Sequence, residues 1–259
     1  MHPVKRYTLE RYRDVLGRMA MSKLRSIGLL PVITDLSARY GTTGADLIDY
    51  WQLVAFVRDN KPKYFLECGT GITTHIIAWA MKKYCQEQYN GDIRLVSMES
   101  IPHWHEEAMR FFPDQYRDFL TIEFSPIAEL SYHFFTGICY QHIPDLPYSA
   151  IYVDGPDPDL KDKKDQFIDM DFLRVVLAST IPVSGMIDKR KATGLFYSTL
   201  FGPKKVKYFR NGWGCDTGYI YAVTNDDLLV HSKKLVVEPA FATIPQEMLH
   251  LGRTFRRRR

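Results

Sequence analysis

The segment Glu67-Cys68-Gly69-Thr70-Gly71-Ile72-Thr73-Thr74 carries residue types at a spacing that can do chemistry. Glycine at 69 and 71 permits a tight turn and lets a ligand approach the backbone. A helix opening just after such a turn offers unpaired N–H groups, so the segment can cradle a nucleotide-type cofactor. A dinucleotide site asks for a third glycine and for an acid about 20 residues further on. Thr74 stands in place of that glycine, and the next strand-end acid, Glu99, comes later than this spacing. Two more acids close apolar runs: Asp154 in Pro147-Tyr148-Ser149-Ala150-Ile151-Tyr152-Val153-Asp154-Gly155-Pro156, and Asp188 in Gly185-Met186-Ile187-Asp188-Lys189-Arg190. Carboxylates at strand ends accept hydroxyl hydrogen bonds, take protons or hold metal ions. The Asp-Gly-Pro run is also ordinary turn chemistry.

The elements that must position these residues are legible in outline. Residues 8–60 read as helical: Leu9, Tyr12, Val15, Leu16 and Met19 form one apolar stripe, broken near Gly28 and Pro31. A second helix enters through Thr42–Asp46 and stops at Lys61-Pro62-Lys63. From residue 63 strands and helices alternate. Strands are expected at Tyr64–Leu66, Arg94–Met98, Phe119–Phe124, Ala150–Val153 and Val183–Ile187, with helices over 73–88, 103–112 and Phe167–Ala178. The alternation implies a doubly wound, mostly parallel sheet covered by helices on both faces. Two late runs, Val206–Phe209 and Tyr219–Val223, flank Asn211-Gly212-Trp213-Gly214 and imply an antiparallel hairpin at one edge. Ligands of such sheets bind outside the carboxyl ends of the strands, where Glu67, Glu99, Asp154 and Asp188 fall.

This pattern resembles the class I S-adenosylmethionine-dependent methyltransferases, in their O-methyltransferase-like branch. Glu67-x-Gly69-x-Gly71 is similar to their first motif, and Glu99-Ser100-x-x-His103-Trp104 to their second strand and following helix. Ser125-Pro126-Ile127-Ala128-Glu129-Leu130 stands where such enzymes place adenine contacts, and the runs ending at Asp154 and Asp188 resemble their fourth and fifth strands. The resemblance covers residues 46–224. It implies a seven-stranded Rossmann-like methyltransferase fold, S-adenosyl-L-methionine as cofactor, and methyl transfer to an oxygen of a small molecule or saccharide. It implies donor contacts at Glu67, Gly69, Thr70, Gly71, Thr73, Glu99, Ser100, Ser125 and Asp154, with Glu99 on the ribose hydroxyls and Glu67 toward the methionine ammonium. Asp154 and Asp188 are the candidate catalytic residues. Lys189 stands where many members carry a second acid, so the need for a divalent metal stays open.

Composition sets the remaining bounds. The 259 residues, 46% hydrophobic and 25% charged, fit one large folded unit and exclude a wholly disordered chain. The reading divides them into a helical extension at 1–45, the cofactor-binding domain at 46–224 and a C-terminal extension at 225–259. No run is long and apolar enough for a transmembrane segment, and the charged first residues, Met1 to Arg13, lead to the expectation of no secretory signal. Four cysteines without a C-x-x-C pair suggest a reducing compartment, the cytoplasm. The net charge of +4 sits in a tail, since five arginines fall within residues 253–259. The tail reads as a solvated end. The alternatives are an RNA methyltransferase that grips nucleic acid through it, which is not favoured, and a non-catalytic protein retaining the fold. His103 and His105, two apart on a helix, do not share a face and read as surface or packing residues. The acidic stretch from Asp157 to Asp171, interleaved with lysines, reads as a solvated loop. Tyr132, Phe134, Phe135 and Tyr140 read as a core or edge strand before a substrate pocket. The acceptor and the number of subunits are not written in these patterns.

Overall fold

The chain is described from a computed structural model over residues 3–40, 47–156, 167–208, 217–229 and 235–239. Three helices open it: α1 (Pro3–Ser26), α2 (Leu30–Arg39) and α3 (Leu47–Asn60). Then follow β1 (Tyr64–Cys68), α4 (Ile72–Tyr84), β2 (Arg94–Glu99), α5 (Pro102–Arg110), β3 (Leu120–Phe124), β4 (Ile127–Tyr132), β5 (Phe135–Tyr140) and β6 (Ala150–Val153). The chain continues through α6 (Asp171–Ala178), β7 (Val183–Ile187), α7 (Lys191–Lys205), β8 (Val206–Tyr208), β9 (Gly218–Val223) and β10 (Leu235–Pro239).

Among the described residues the strands form a seven-stranded sheet in the order β3-β2-β1-β6-β7-β9-β8. β9 runs antiparallel between β7 and β8, and the other pairings are parallel. The fold is therefore the doubly wound, mostly parallel sheet with an antiparallel edge that the alternation implied. Strand order reverses between β1 and β6, which opens a crevice at their carboxyl ends.

Period-two alternation divides the core. Leu66, Cys68, Ile151 and Val153 pack with Phe172, Tyr197 and Leu200 from α6 and α7. Phe65, Leu95, Tyr152 and Met186 pack with Leu53, Val57, Ile76 and Ile77 from α3 and α4. The opening helices thus cover one face of the sheet and reach the edge where the strands end. No helix among the described residues is long and apolar enough to cross a membrane.

Three features depart from the sequence pattern. β4, β5 and β10 make a separate three-stranded antiparallel sheet. Ile127–Leu130, placed among adenine contacts by the resemblance, are strand residues of that sheet. Tyr132, Phe135 and Tyr140 also lie in it, as the core or edge strand expected there. α6 starts at Asp171 and not at Phe167, because Asp169 bridges to Ile138 of β5 in strand fashion. Finally, α7 fills the stretch after Asp188, where Gly194, Gly202 and Pro203 hide a helix; Gly202 (φ 76°) kinks it near its end. The Thr42–Asp46 helix entry, the Asn211–Gly214 turn, Cys215 and the arginine tail lie outside the described residues.

Candidate functional site

Five parallel strands end along one line, and backbone hydrogen bonds join the residues that follow them. Ser125 N–H donates to the Glu99 carbonyl (2.9 Å), Gly69 to Met98 (2.9 Å), Asp154 to Cys68 (2.9 Å) and Asp188 to Val153 (3.0 Å). The sheet therefore brings Ser125, Glu99, Gly69, Asp154 and Asp188 side by side. One layer below, register sets Ser97 beside Glu67 and Glu67 beside Tyr152 on the face covered by α3 and α4.

The glycine turn is held by contact with the turn after β6. Gly69 has φ +101°, and a Cβ there would lie 3.1 Å from the Asp154 carbonyl carbon. A Cβ on Gly155 would lie 2.9 Å from Gly69 N and 2.8 Å from the Tyr140 hydroxyl. Neither position has room for a side chain, so two loops far apart in sequence behave as one floor.

Glu99 stands at the rim of this floor, 7% exposed. Its Oε1 accepts the N–H groups of Ser100 (2.8 Å) and Ile101 (3.0 Å), and its Oε2 accepts the Thr70 hydroxyl (2.6 Å). Oε2 also accepts the Thr70 N–H (3.4 Å), so four donors hold the carboxylate at the glycine turn, and a ligand hydroxyl would have to replace the Thr70 contacts.

Glu67 is fully buried beneath the turn, and Ser97 donates its hydroxyl to Oε2 at 2.6 Å. Burial pushes its pKa up to about 7, against the pull of the Ser97, Thr73 and Thr74 hydroxyls. Thr73 is buried in the first turn of α4. The Ser125 hydroxyl accepts the His142 N–H (2.9 Å), so it ties that loop to the segment after β5. Asp154 keeps 39% of its side chain exposed. Burial, then the charges of Asp154 and Asp49, push Asp188 up to about 8, with Lys189 and Arg190 opposing. Among the described residues, Glu67 Oε1, Ser100 Oγ and Asp188 Oδ1 are buried atoms without a hydrogen-bond partner. All three belong to this crevice.

Several residues that no motif flagged complete the site. Asp49, in the first turn of α3 and 4% exposed, pairs with Lys189 Nζ at 2.6 Å. Tyr40, at the end of α2, shares a hydrogen bond with His75 Nε2 of α4 (2.9 Å). Burial lowers the His75 pKa to about 4, and burial and the charges of Glu107 and Glu67 raise that of Tyr40. Burial, and then the charges of Asp188, Asp154, Asp49 and Glu67, push the pKa of the Tyr152 hydroxyl well up.

The acidic stretch needs correction. Asp157, Asp159, Asp162 and Asp165 lie outside the described residues, but Asp169 and Asp171 are fully buried, not solvated. Asp169 pairs with Arg190 Nη1 at 3.0 Å, and Asp171 accepts the Tyr140 N–H at 3.1 Å. A buried acid needs such partners, because ionic groups leave water at large cost. His103 is a surface residue facing Glu107 at 3.8 Å, and Trp104 is 38% exposed beside it. No group of three or more His, Cys, Asp or Glu among the described residues is arranged to hold a metal ion.

No family model matches the sequence, and no curated protein matches it. Solved structures do. One is the O-methyltransferase TomG from Streptomyces achromogenes, involved in tomaymycin synthesis, in complex with S-adenosylmethionine. It is 16% identical, with 81% of this chain and 90% of that chain covered, at a TM-score of 0.45. A Podospora anserina methyltransferase bound to S-adenosylhomocysteine is 14% identical over 76% of this chain and 74% of its own, at 0.45. An O-methyltransferase from Bacillus cereus, also with S-adenosylhomocysteine, is 13% identical over 77% and 89%, at 0.44.

Proposed function

We propose that this chain is an S-adenosylmethionine-dependent methyltransferase acting on an oxygen of a small molecule or saccharide. The observation that carries the reading is Glu99, fixed by two backbone N–H groups at the end of β2 and aimed across the glycine turn. In that position Oε2, exchanging its Thr70 contacts for the ligand, can accept the hydroxyls of one ribose. The rest of the floor favours a cationic donor over a pyrophosphate. Glu99 and Asp154 flank the turn with Glu67, half-ionised at neutral pH, beneath it, and their negative charge repels a diphosphate that the helix N-terminus alone would attract. The unpartnered Glu67 Oε1 and Ser100 Oγ suit a ligand that brings hydrogen-bond donors and acceptors of its own.

When bound, the donor supplies an electrophilic methyl group on a sulfonium. Around it, Glu99 holds the ribose, Gly69, Thr70 and Gly71 line the backbone turn, and Thr73 and Ser100 shape its flanks. Ser125 fixes the loop on the adenine side. Glu67 sets a negative potential beneath the turn for the ammonium, and Asp154 faces the same end of the donor. Asp188 is the base. With its pKa raised to about 8 its ionised form is a stronger base than a free carboxylate, and the share of that form grows as pH rises toward and past 8. Lys189 Nζ, held on Asp49, supplies a fixed positive charge beside the carboxylate that gains and loses that proton. The donor-binding unit is assigned to residues 46–224, and α1 and α2 pack on its α3 and α4. The cytoplasm is the proposed compartment, which suits the buried free thiols of Cys68, Cys85 and Cys139.

Calorimetric titration with S-adenosylmethionine and, separately, NAD tests the reading, with Glu99→Ala as control. Saturable binding of the first that collapses in the variant is expected, with none of the second. No binding at millimolar concentration, or binding indifferent to Glu99, overturns the donor assignment. Label from methyl-tritiated donor should appear on phenolic or sugar hydroxyls; label on RNA alone overturns the acceptor class.

A further inference from the structure

Arg190 is 3% exposed and spends its guanidinium on two chain segments, the Asp169 side chain and the Asp154-Gly155-Pro156 turn. Nη1 donates to Asp169 Oδ2 (3.0 Å) and to the Pro156 carbonyl (3.2 Å), and Nη2 donates to the Asp154 carbonyl. Nε lies 3.8 Å from Asp154 Oδ1. A planar fork of five donors can hold several acceptors in fixed directions, which an ammonium cannot do.

The two ends of this fork differ. At one end Asp169 is fully buried and locked to α7. The Thr193 hydroxyl donates to its Oδ2 (3.0 Å), the Tyr197 hydroxyl donates to its carbonyl (2.7 Å), and its own N–H donates to Thr193 Oγ1 (3.0 Å). At the other end the Asp154 side chain is partly open to solvent. The turn it belongs to presses Gly155 onto Gly69, with no room for a Cβ between them. A shift of that turn therefore moves the glycine turn after β1 as well.

We infer that Arg190 is a positioning residue: anchored on Asp169, it fixes the Asp154-Gly155-Pro156 turn and, through Gly155, the Gly69 turn that receives the donor. This rests on the donor reading above for its ligand and on the hydrogen bonds alone for its mechanics. Neither Arg190 nor Asp169 needs to touch the donor. Removing the anchor frees the guanidinium to fold onto the Asp154 carboxylate and take that acid away from the cleft.

The test uses the full chain with Asp169→Asn and Arg190→Lys, plus Val176→Ala in the buried face of α6 as a control that loosens the core without touching the fork. Each is titrated with S-adenosylmethionine and melted. Both fork variants should lose affinity about tenfold, the loss common when the outer partner of a ligand-holding group is removed. Val176→Ala should melt lower and bind as wild type does. Fork variants that bind like wild type, or affinity that follows melting temperature across all three, overturn the inference.

A ligand-free readout separates this from failure of the donor reading. In protein labelled with 15N-glycine, Asp169→Asn should move the amide resonances of Gly155 and Gly69 and leave those of Gly17 and Gly28 in place. Unmoved Gly155 and Gly69 overturn the positioning role whether or not wild type binds the donor. Moved resonances in a wild type that binds no donor uphold the mechanics and overturn only the ligand.

Discussion

Replacing Glu67 by Gln removes one buried charge at nearly constant shape. Glu67 is fully enclosed, and burial raises its pKa from 4.5 to about 7. Between those values the folded chain holds a proton that the unfolded chain has released. The contribution of Glu67 is therefore most favourable below pH 4.5, falls as pH rises through the interval, and is constant above 7. A rise of about 2.5 units, at about 1.4 kcal/mol each, makes the ionised form cost the folded state about 3 kcal/mol. Glutamine does not titrate, and it can still accept the Ser97 hydroxyl that Oε2 accepts now.

Urea unfolding followed by tryptophan fluorescence, at a series of pH values spanning that window, reads this out. The variant's stability relative to wild type should increase by about 3 kcal/mol from the acid side to the neutral side. Taking the difference removes every other titrating group that the substitution leaves alone. Saturating S-adenosylmethionine should narrow the gap, because an ammonium above the turn favours the ionised acid. Two curves that stay parallel to within about 1 kcal/mol would refute the account, since Glu67 would then titrate alike in both states.

His75 should show the opposite slope. Its pKa falls from 6.5 to about 4 on burial, so in urea unfolding wild type should lose about 3 kcal/mol relative to His75→Gln on acidification through that window, the difference cancelling the opposite contribution of Glu67. Gly155→Ala should cost about 2 kcal/mol by overpacking against Gly69, and calorimetry should show weaker donor binding. Asp188→Asn should keep donor affinity by calorimetry while methyl transfer to a hydroxyl acceptor drops about a hundredfold or more; an unchanged rate would remove Asp188 as the base.

Why some of these residues were legible and others were not follows from what a pattern can record. The sheet was legible because parallel strands all end on one edge, so acids closing successive apolar runs must meet there. Glu99, Asp154 and Asp188 were found that way, and the Gly69 turn was found from its glycines. Glu67 was visible too, but not its depth: a strand-end acid looks the same on the rim of a cleft as one layer below it. The small sheet was legible only around residues 132–140, because Ile127–Leu130 reads equally as a loop after β3, and its third strand, β10, comes from far along the chain. Asp49 and Asp169 escaped for a stricter reason. An acid in the first turn of a helix is ordinary capping chemistry, and an acid among lysines is ordinary solvated surface. Their burial depends on Lys189, 140 residues from Asp49, and on Arg190, 21 residues from Asp169. Periodicity registers which face a residue occupies, not which charge it will meet. A buried acid can be recognised only together with its counter-charge, and two consecutive cations directly after a strand-end acid were the local sign that such acids had to be nearby.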